Sequence, residues 1–315
     1  MYTVNTKINN QLSIWLFTMF WIISIMIVVG GLTRLTDSGL SITKWELFSG
    51  IFPPFNYESW NYYFDQYKQI PEYKEVNFNM SISEFKIIYY WEYGHRLIAR
   101  IIGLYSILPL IYLFFRFKNY RRELIKYFTI FLLILFQGTV GWFMVKSGLI
   151  NNTDVSHYRL ALHLTIAFTI LSIVFLFILE NLKVQKFKTS LPQNFLKIFL
   201  FLIIIQIILG AFLAGLNGGL IYNTWPDMNG SFLPSDIVGR DIFLFKSLNN
   251  PSVIQFYHRI FAYLILFFLV ILNYIFYKKN LSCKTLFILN FAIFLQVLLG
   301  IITLITGVKI SYASL

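Results

Sequence analysis

The 315-residue chain has a single cysteine, Cys283, and charged side chains make up only 13% of it. One cysteine excludes an intrachain disulfide and leaves the redox compartment undecided. So little charge, against 57% hydrophobic residues and a mean hydropathy of +0.67, excludes an ordinary water-soluble domain, because the apolar content exceeds what a core of this size can hide. Acid is scarcer than base, with 14 Asp and Glu against 26 Lys and Arg, for a formal net charge of +12. That excess does not indicate nucleic acid, since the basic residues cluster in short segments between apolar runs, as membrane orientation requires. No small-residue cleavage pattern follows the first apolar run, which reads as a retained helix and not as a signal peptide.

What the sequence does have is apolar stretches of membrane-crossing length, at 14–32, 87–115, 127–145, 160–179, 196–215, 255–277 and 285–305. Seven spans make an all-α polytopic membrane protein. The segments after spans two, four and six are dense in base: Arg116, Lys118, Arg121, Arg122 and Lys126, then Lys183, Lys186, Lys188 and Lys197, then Lys278, Lys279 and Lys284. The opposite loops are longer and more dilute in charge. By the positive-inside rule the N-terminus is cytoplasmic, and His95, His163 and His258 share one level at the outer ends of spans two, four and six. The first outer loop, from Thr33 to Lys86, holds Trp45, Phe48, Trp60, Tyr62 and Tyr63, an aromatic density expected of a lid lying in the headgroup region.

The two halves repeat at an offset of 180 residues. Gly30, the run Asp37-Ser38-Gly39-Leu40 and Trp45 match Gly210, Asn217-Gly218-Gly219-Leu220 and Trp225. Spans three, five and seven share Gln-x-x-x-Gly, as Gln137 to Gly141, Gln206 to Gly210 and Gln296 to Gly300, which puts an amide and a small residue on one helix face. The expectation is a tandem of four-helix units, 1–190 and 191–315. Gln137 precedes His163 by 26 residues, so the counterpart of His163 is expected at position 322, on an eighth span beyond Leu315. As read, the second unit is truncated to three helices.

A ring nitrogen inside a membrane helix is costly without a partner, and histidines repeated at one depth point to a shared one. Haem iron takes imidazole as an axial ligand. Glu92, His95, Arg96 and Arg100 fall on one helix face. They read either as a salt-bridged helix end or as a haem site, with His95 on iron, the arginines on propionates, and Glu92 free to work on protons or water. His163, flanked by leucines, is either a core histidine or the facing ligand in a four-helix bundle. His157 reads as a solvated or helix-capping residue. His258 and Arg259 reproduce the His-Arg pair of the first half, with Gln255 where that half has Glu92. This swap assigns catalysis to the first unit and a structural or electron-storing role to the second.

Gly30 to Ser41, Ile-Pro-Glu-Tyr (Ile70 to Tyr73), Met-Ser-Ile-Ser-Glu-Phe-Lys (Met80 to Lys86), Glu-Tyr-Gly-His-Arg (Glu92 to Arg96), Tyr-Arg-Leu-Ala-Leu-His-Leu (Tyr158 to Leu164), Asn-Thr-Trp-Pro-Asp-Met-Asn-Gly (Asn223 to Gly230) and Gln-Phe-Tyr-His-Arg (Gln255 to Arg259) together resemble haem A synthase. The likeness is to the cysteine-free subclass of proteobacteria and mitochondria, and it runs from about residue 13 to the end of the chain. It implies an enzyme of the bacterial inner membrane, an oxidoreductase that converts the C8 methyl of haem O to a formyl group with water as oxygen source. It implies that His95 and His163 hold the substrate haem, that His258 holds a haem b, and that Glu92 is the functional acid; Arg96 and Arg100 are assigned to the substrate haem and Arg259 to the haem b from their places beside these histidines. The fourth family histidine would lie on the eighth span. Expected partners are haem O, haem O synthase, cytochrome oxidase assembly factors and lipid, with association into a homo-oligomer open. Two other classes remain: a di-haem b electron carrier, and a non-catalytic haem chaperone or transporter.

Overall fold

The computed structural model describes residues 2–46, 49–116, 121–184, 193–237, 242, 244–279 and 284–314. Phe48, Lys118, Lys186, Lys188, Arg240 and Cys283 lie outside these. Among the described residues seven helices are long and apolar enough to cross a membrane, so this is a multi-pass all-α membrane protein. The backbone divides into two units, Met1–Lys186 and Phe187–Leu315.

In the first unit α1 (Tyr2–Leu35), α4 (Ile82–Arg116), α5 (Arg121–Asn151) and α6 (His157–Asn181) form a closed square: α1 packs on α4 and α6, and α5 packs on the same two. One end of the bundle is solid. Leu16, Met19, Leu113, Tyr127, Ile130 and Val174 are almost wholly buried there. The end that carries the histidines is lined instead by glycine. Short helices α2 (Tyr57–Tyr67) and α3 (Pro71–Glu75) fold over that end.

The aromatic loop forms a core of its own on α4. Trp60 packs on Tyr89 with ring centroids 5.1 Å apart, and Phe64 and Tyr67 pack on Phe85 at 5.0 and 5.2 Å. Tyr67 and Phe85 are fully buried, each contributing roughly 1.5–3 kcal/mol of burial. The lid expected from composition is thus a packed cap.

Helix ends follow local chemistry. Ser81 and Glu84 form a reciprocal capping box (Ser81 N to Glu84 Oε2 2.8 Å, Glu84 N to Ser81 Oγ 3.3 Å), so α4 starts five residues before the apolar run at 87. α1 ends in a Schellman turn, with Ser38 N–H on Thr33 O at 3.0 Å and Asp37 left-handed at φ 47°. Asn217, its counterpart in the repeat, is left-handed at φ 52°.

In the second unit α7 (Gln193–Gly215) packs on α8 (Pro251–Lys278) around Phe199, Leu202, Ile265 and Leu269. Asn250 caps α8 ahead of Pro251, accepting from Ser252 N at 2.8 Å. α9 (Lys284–Ile305) meets α8 through a reciprocal amide pair, Asn273 Nδ2 to Asn290 Oδ1 at 2.8 Å and Asn290 Nδ2 to Asn273 Oδ1 at 2.7 Å. A short α10 (Ile310–Ala313) follows.

Candidate functional site

α4 presents Glu92, His95, Arg96 and Arg100 on successive turns, and α6 presents His163. His95 packs against α1 at Gly30, where a Cβ would lie 3.2 Å from the ring's Cε1. His163 packs against α5 at Gly141, where the distance would be 2.9 Å. Glycine therefore sets how closely each ring approaches the neighbouring helix. His95 on α4 and His163 on α6 thus belong to one four-helix bundle, each ring seated on a glycine of a neighbouring helix.

Glu92 is only 3% exposed, and donors surround it. Its Oε2 accepts from Ser41 Oγ and from the Ile42 N–H, both at 2.7 Å. Its Oε1 accepts from Arg96 Nη2 at 2.6 Å and Nε at 3.0 Å. Glu92, expected to work on protons or water, accepts at each of these four contacts, because folding the loop back onto α4 places backbone and hydroxyl donors against it.

Arg96 continues outward, with Nη2 on Ile42 O at 2.9 Å and Nη1 on Lys44 O at 3.3 Å. Arg100 Nη2 donates to Glu46 O at 2.7 Å. Both arginines, expected on propionates, hold the loop from 42 to 46 through these bonds. A cavity of about 10 Å³ beside them, lined by Ile42, Glu46, Tyr89, Tyr93, Arg96 and Arg100, has room for about one water molecule.

The second unit repeats the plan with one inversion. His258 packs at Gly210, where a Cβ would lie 3.3 Å from Cε1. Arg259 Nη1 donates to Thr224 O at 3.0 Å and Asp227 O at 2.7 Å, and Nη2 donates to Tyr222 O at 3.0 Å. Gln255 Nε2 also donates to Tyr222 O, at 3.0 Å. Glu92 receives an N–H at Ile42; Gln255 gives one at the matching residue of the repeat.

Sequence reasoning missed four residues. Ser41 and Ile42 stand in the quoted Gly30 to Ser41 string or next to it, yet nothing local marks them as partners of Glu92. Gln137 and Gln206 carry the noted amide motif, whose partners the structure shows: Gln137 Nε2 donates to His163 O at 3.0 Å and lies 3.2 Å from His163 Nε2, and Gln206 does the same at His258, at 3.1 and 3.3 Å. His157 is not a cap; it opens α6 half-buried, its ring centroid 4.1 Å from that of Tyr158.

Residues 13–315 match a family model described as cytochrome oxidase assembly protein. Over all of this chain and 94% of the relative, the sequence is 55% identical to a haem A synthase of Pelagibacter ubique. It is 43% identical to one of Rickettsia bellii, covering 98% of this chain and 93% of that one. With a haem A synthase of Wolbachia pipientis the identity is 41%, over 96% and 86%.

Proposed function

The chain belongs to the haem A synthases, enzymes of haem A biosynthesis in the cytochrome oxidase assembly family, and from that premise we propose that it oxidises the C8 methyl group of haem O to a formyl group with water as the oxygen source, four electrons and four protons leaving for an external electron acceptor. His95 and His163 bind the substrate haem at its iron. The observation that carries this is the pair of glycine-seated imidazoles enclosed by one bundle, with the anchored carboxylate of Glu92 one turn from His95.

The second unit's residues fit a resident haem b. His258 is seated on Gly210 as the first unit's rings are seated, and its Nδ1 is buried without a hydrogen-bond partner among the described residues. His258 would ligate this haem, and Arg259, which fastens the loop from 222 to 227, would close the site over it. When bound, it supplies one-electron redox capacity.

In the first unit Glu92 acts as a fixed negative charge. Removing electrons from a methyl group creates positive character beside the ring, and a preorganised anion stabilises it without reorganising. Arg96 and Arg100 hold the loop that shuts this end of the bundle, keeping bulk water out. The orientation follows the basic segments: N-terminus cytoplasmic, in the bacterial inner membrane, with the site at the outer face. Substrate would come from haem O synthase and product would pass to cytochrome oxidase assembly factors.

The test is expression in a host that makes haem O but no haem A, followed by analysis of extracted pigment. Haem A and haem O should both copurify, and His163→Ala should abolish haem A. Pigment containing haem B alone would sink the proposal and favour the electron-carrier reading.

A further inference from the structure

Metal-ligating histidines ordinarily donate their second ring N–H to a carbonyl or carboxylate, which fixes the tautomer and frees the other nitrogen for the metal. His163 and His258 lack that device. In both rings Nδ1 is buried without a hydrogen-bond partner among the described residues. The group that meets each ring is a glutamine amide, Gln137 or Gln206, at Nε2.

The orientation of each amide is determined. The histidine's own backbone carbonyl accepts from Gln137 Nε2 at 3.0 Å and from Gln206 Nε2 at 3.1 Å, and a carbonyl can only accept. Turning the amide over would set oxygen against oxygen. The NH₂ group therefore faces the histidine, and its second hydrogen is directed at Nε2, 3.2 Å away in one unit and 3.3 Å in the other. Facing a donor, Nε2 must be the acceptor, so the ring proton resides on Nδ1. The same geometry arises twice, on different helices, four residues before the glycine that seats the ring.

We propose that Gln137 and Gln206 are positioning residues that hold His163 and His258 in the ligation-ready tautomer, with the Nε2 lone pair kept for iron. Iron and the amide N–H are alternative partners of that lone pair, so ligation breaks the contact to Nε2 and leaves the tether to the carbonyl. Span one carries Met26 four residues before Gly30, an apolar side chain where these helices have glutamine, so His95 is selected differently. The inference rests on the haem-site reading above.

The test uses the full chain produced in a haem-deficient host with ¹⁵N-labelled histidine. Nitrogen shifts should report Nε2 as an unprotonated acceptor in His163 and His258. Gln137→Leu should shift only the His163 signals towards a mixed tautomer, and Gln206→Leu only those of His258. Haem affinity at the matching site should fall about 10-fold or more, as for other residues that orient metal ligands. Gln137→Glu, which keeps length but loses the donor, should draw a proton onto Nε2 and lower affinity further, and it serves if the leucine variant folds poorly. Shifts indifferent to these substitutions would overturn the proposal, as would a changed tautomer with unchanged haem affinity. Haem binding that survives His163→Ala and His258→Ala would instead sink the site reading, leaving the tautomer result standing.

Discussion

The backbone N–H of Ile42 lies 2.7 Å from Oε2 of Glu92, joining residues fifty positions apart. The carbonyl of the same residue accepts from Arg96 at 2.9 Å, so one loop residue is held through both its backbone N–H and its C=O by a Glu-x-x-His-Arg turn. In the second unit the carbonyl of Tyr222 takes both the Gln255 and the Arg259 donors. The repeat keeps the clasp and reverses the sense of one bond, with acid in one unit and amide in the other.

Glu92→Gln is therefore more than a neutralisation. An amide cannot accept on both arms, so one of its ends must face Arg96 or Ile42 donor to donor. Formyl formation should drop by about 100-fold or more, while His95 and His163 still retain haem. Extracted haem A at the parent level would show that the carboxylate is not needed.

The glycine seats separate packing from ligation. Gly141→Ala puts a Cβ 2.9 Å from the His163 ring, which must shift, whereas Gly138→Ala, three residues earlier on α5, meets nothing within 4 Å. Alanine favours a helix interior by up to about 1 kcal/mol over glycine, and overpacking costs about 1–3 kcal/mol. The expected outcome is a melting temperature at or above the parent for Gly138→Ala with full haem content, and reduced haem content for Gly141→Ala. Equal Soret absorbance per protein in the two variants would contradict it.

How much of this was legible beforehand depends on range. The spans and the histidine-bearing turns could be read because apolar length and Glu-x-x-His-Arg are local signals. The earlier start of α4 was also readable in principle, from Ser81 and Glu84 at capping-box spacing. The partners of Glu92 were not: Ser41 and Ile42 reach it only when a loop of some forty residues folds back through Trp60, Phe64 and Tyr67 onto α4. The Gln-x-x-x-Gly pattern was visible, but its meaning required knowing which helix each histidine packs against.

Glu72 gives the loop a pH dependence. It is 5% exposed, and burial, then the charges of Glu92, Asp154 and Asp37, push its carboxyl from an ordinary 4.5 up to about 8; the Tyr67 hydroxyl opposes this. The folded carboxyl is protonated where the unfolded one is ionised, so the contribution to stability is complete below about 4.5 and is lost as pH rises towards about 8. Glu72→Gln should remove that slope and raise the alkaline melting temperature in detergent. Parallel melting curves for the parent and the variant across this range would refute the assignment.

The last prediction concerns how α9 is held. Asn273 and Asn290 satisfy each other across α8 and α9, and Asn273 Nδ2 also reaches Leu269 O at 2.8 Å. None of the described residues of α9 is buried, and the amide pair joins it to α8 beside the partly buried Leu286, Leu289 and Ile293. Leucine at either position alone strands the other amide in apolar surroundings, and leucine at both removes the need for a partner. Each single substitution should therefore cost about 1–2 kcal/mol, with the double variant less unstable than the sum, the coupling expected of groups in contact. Steric-trap or denaturant unfolding in bicelles measures the cycle. Strict additivity would show that the two amides do not depend on each other.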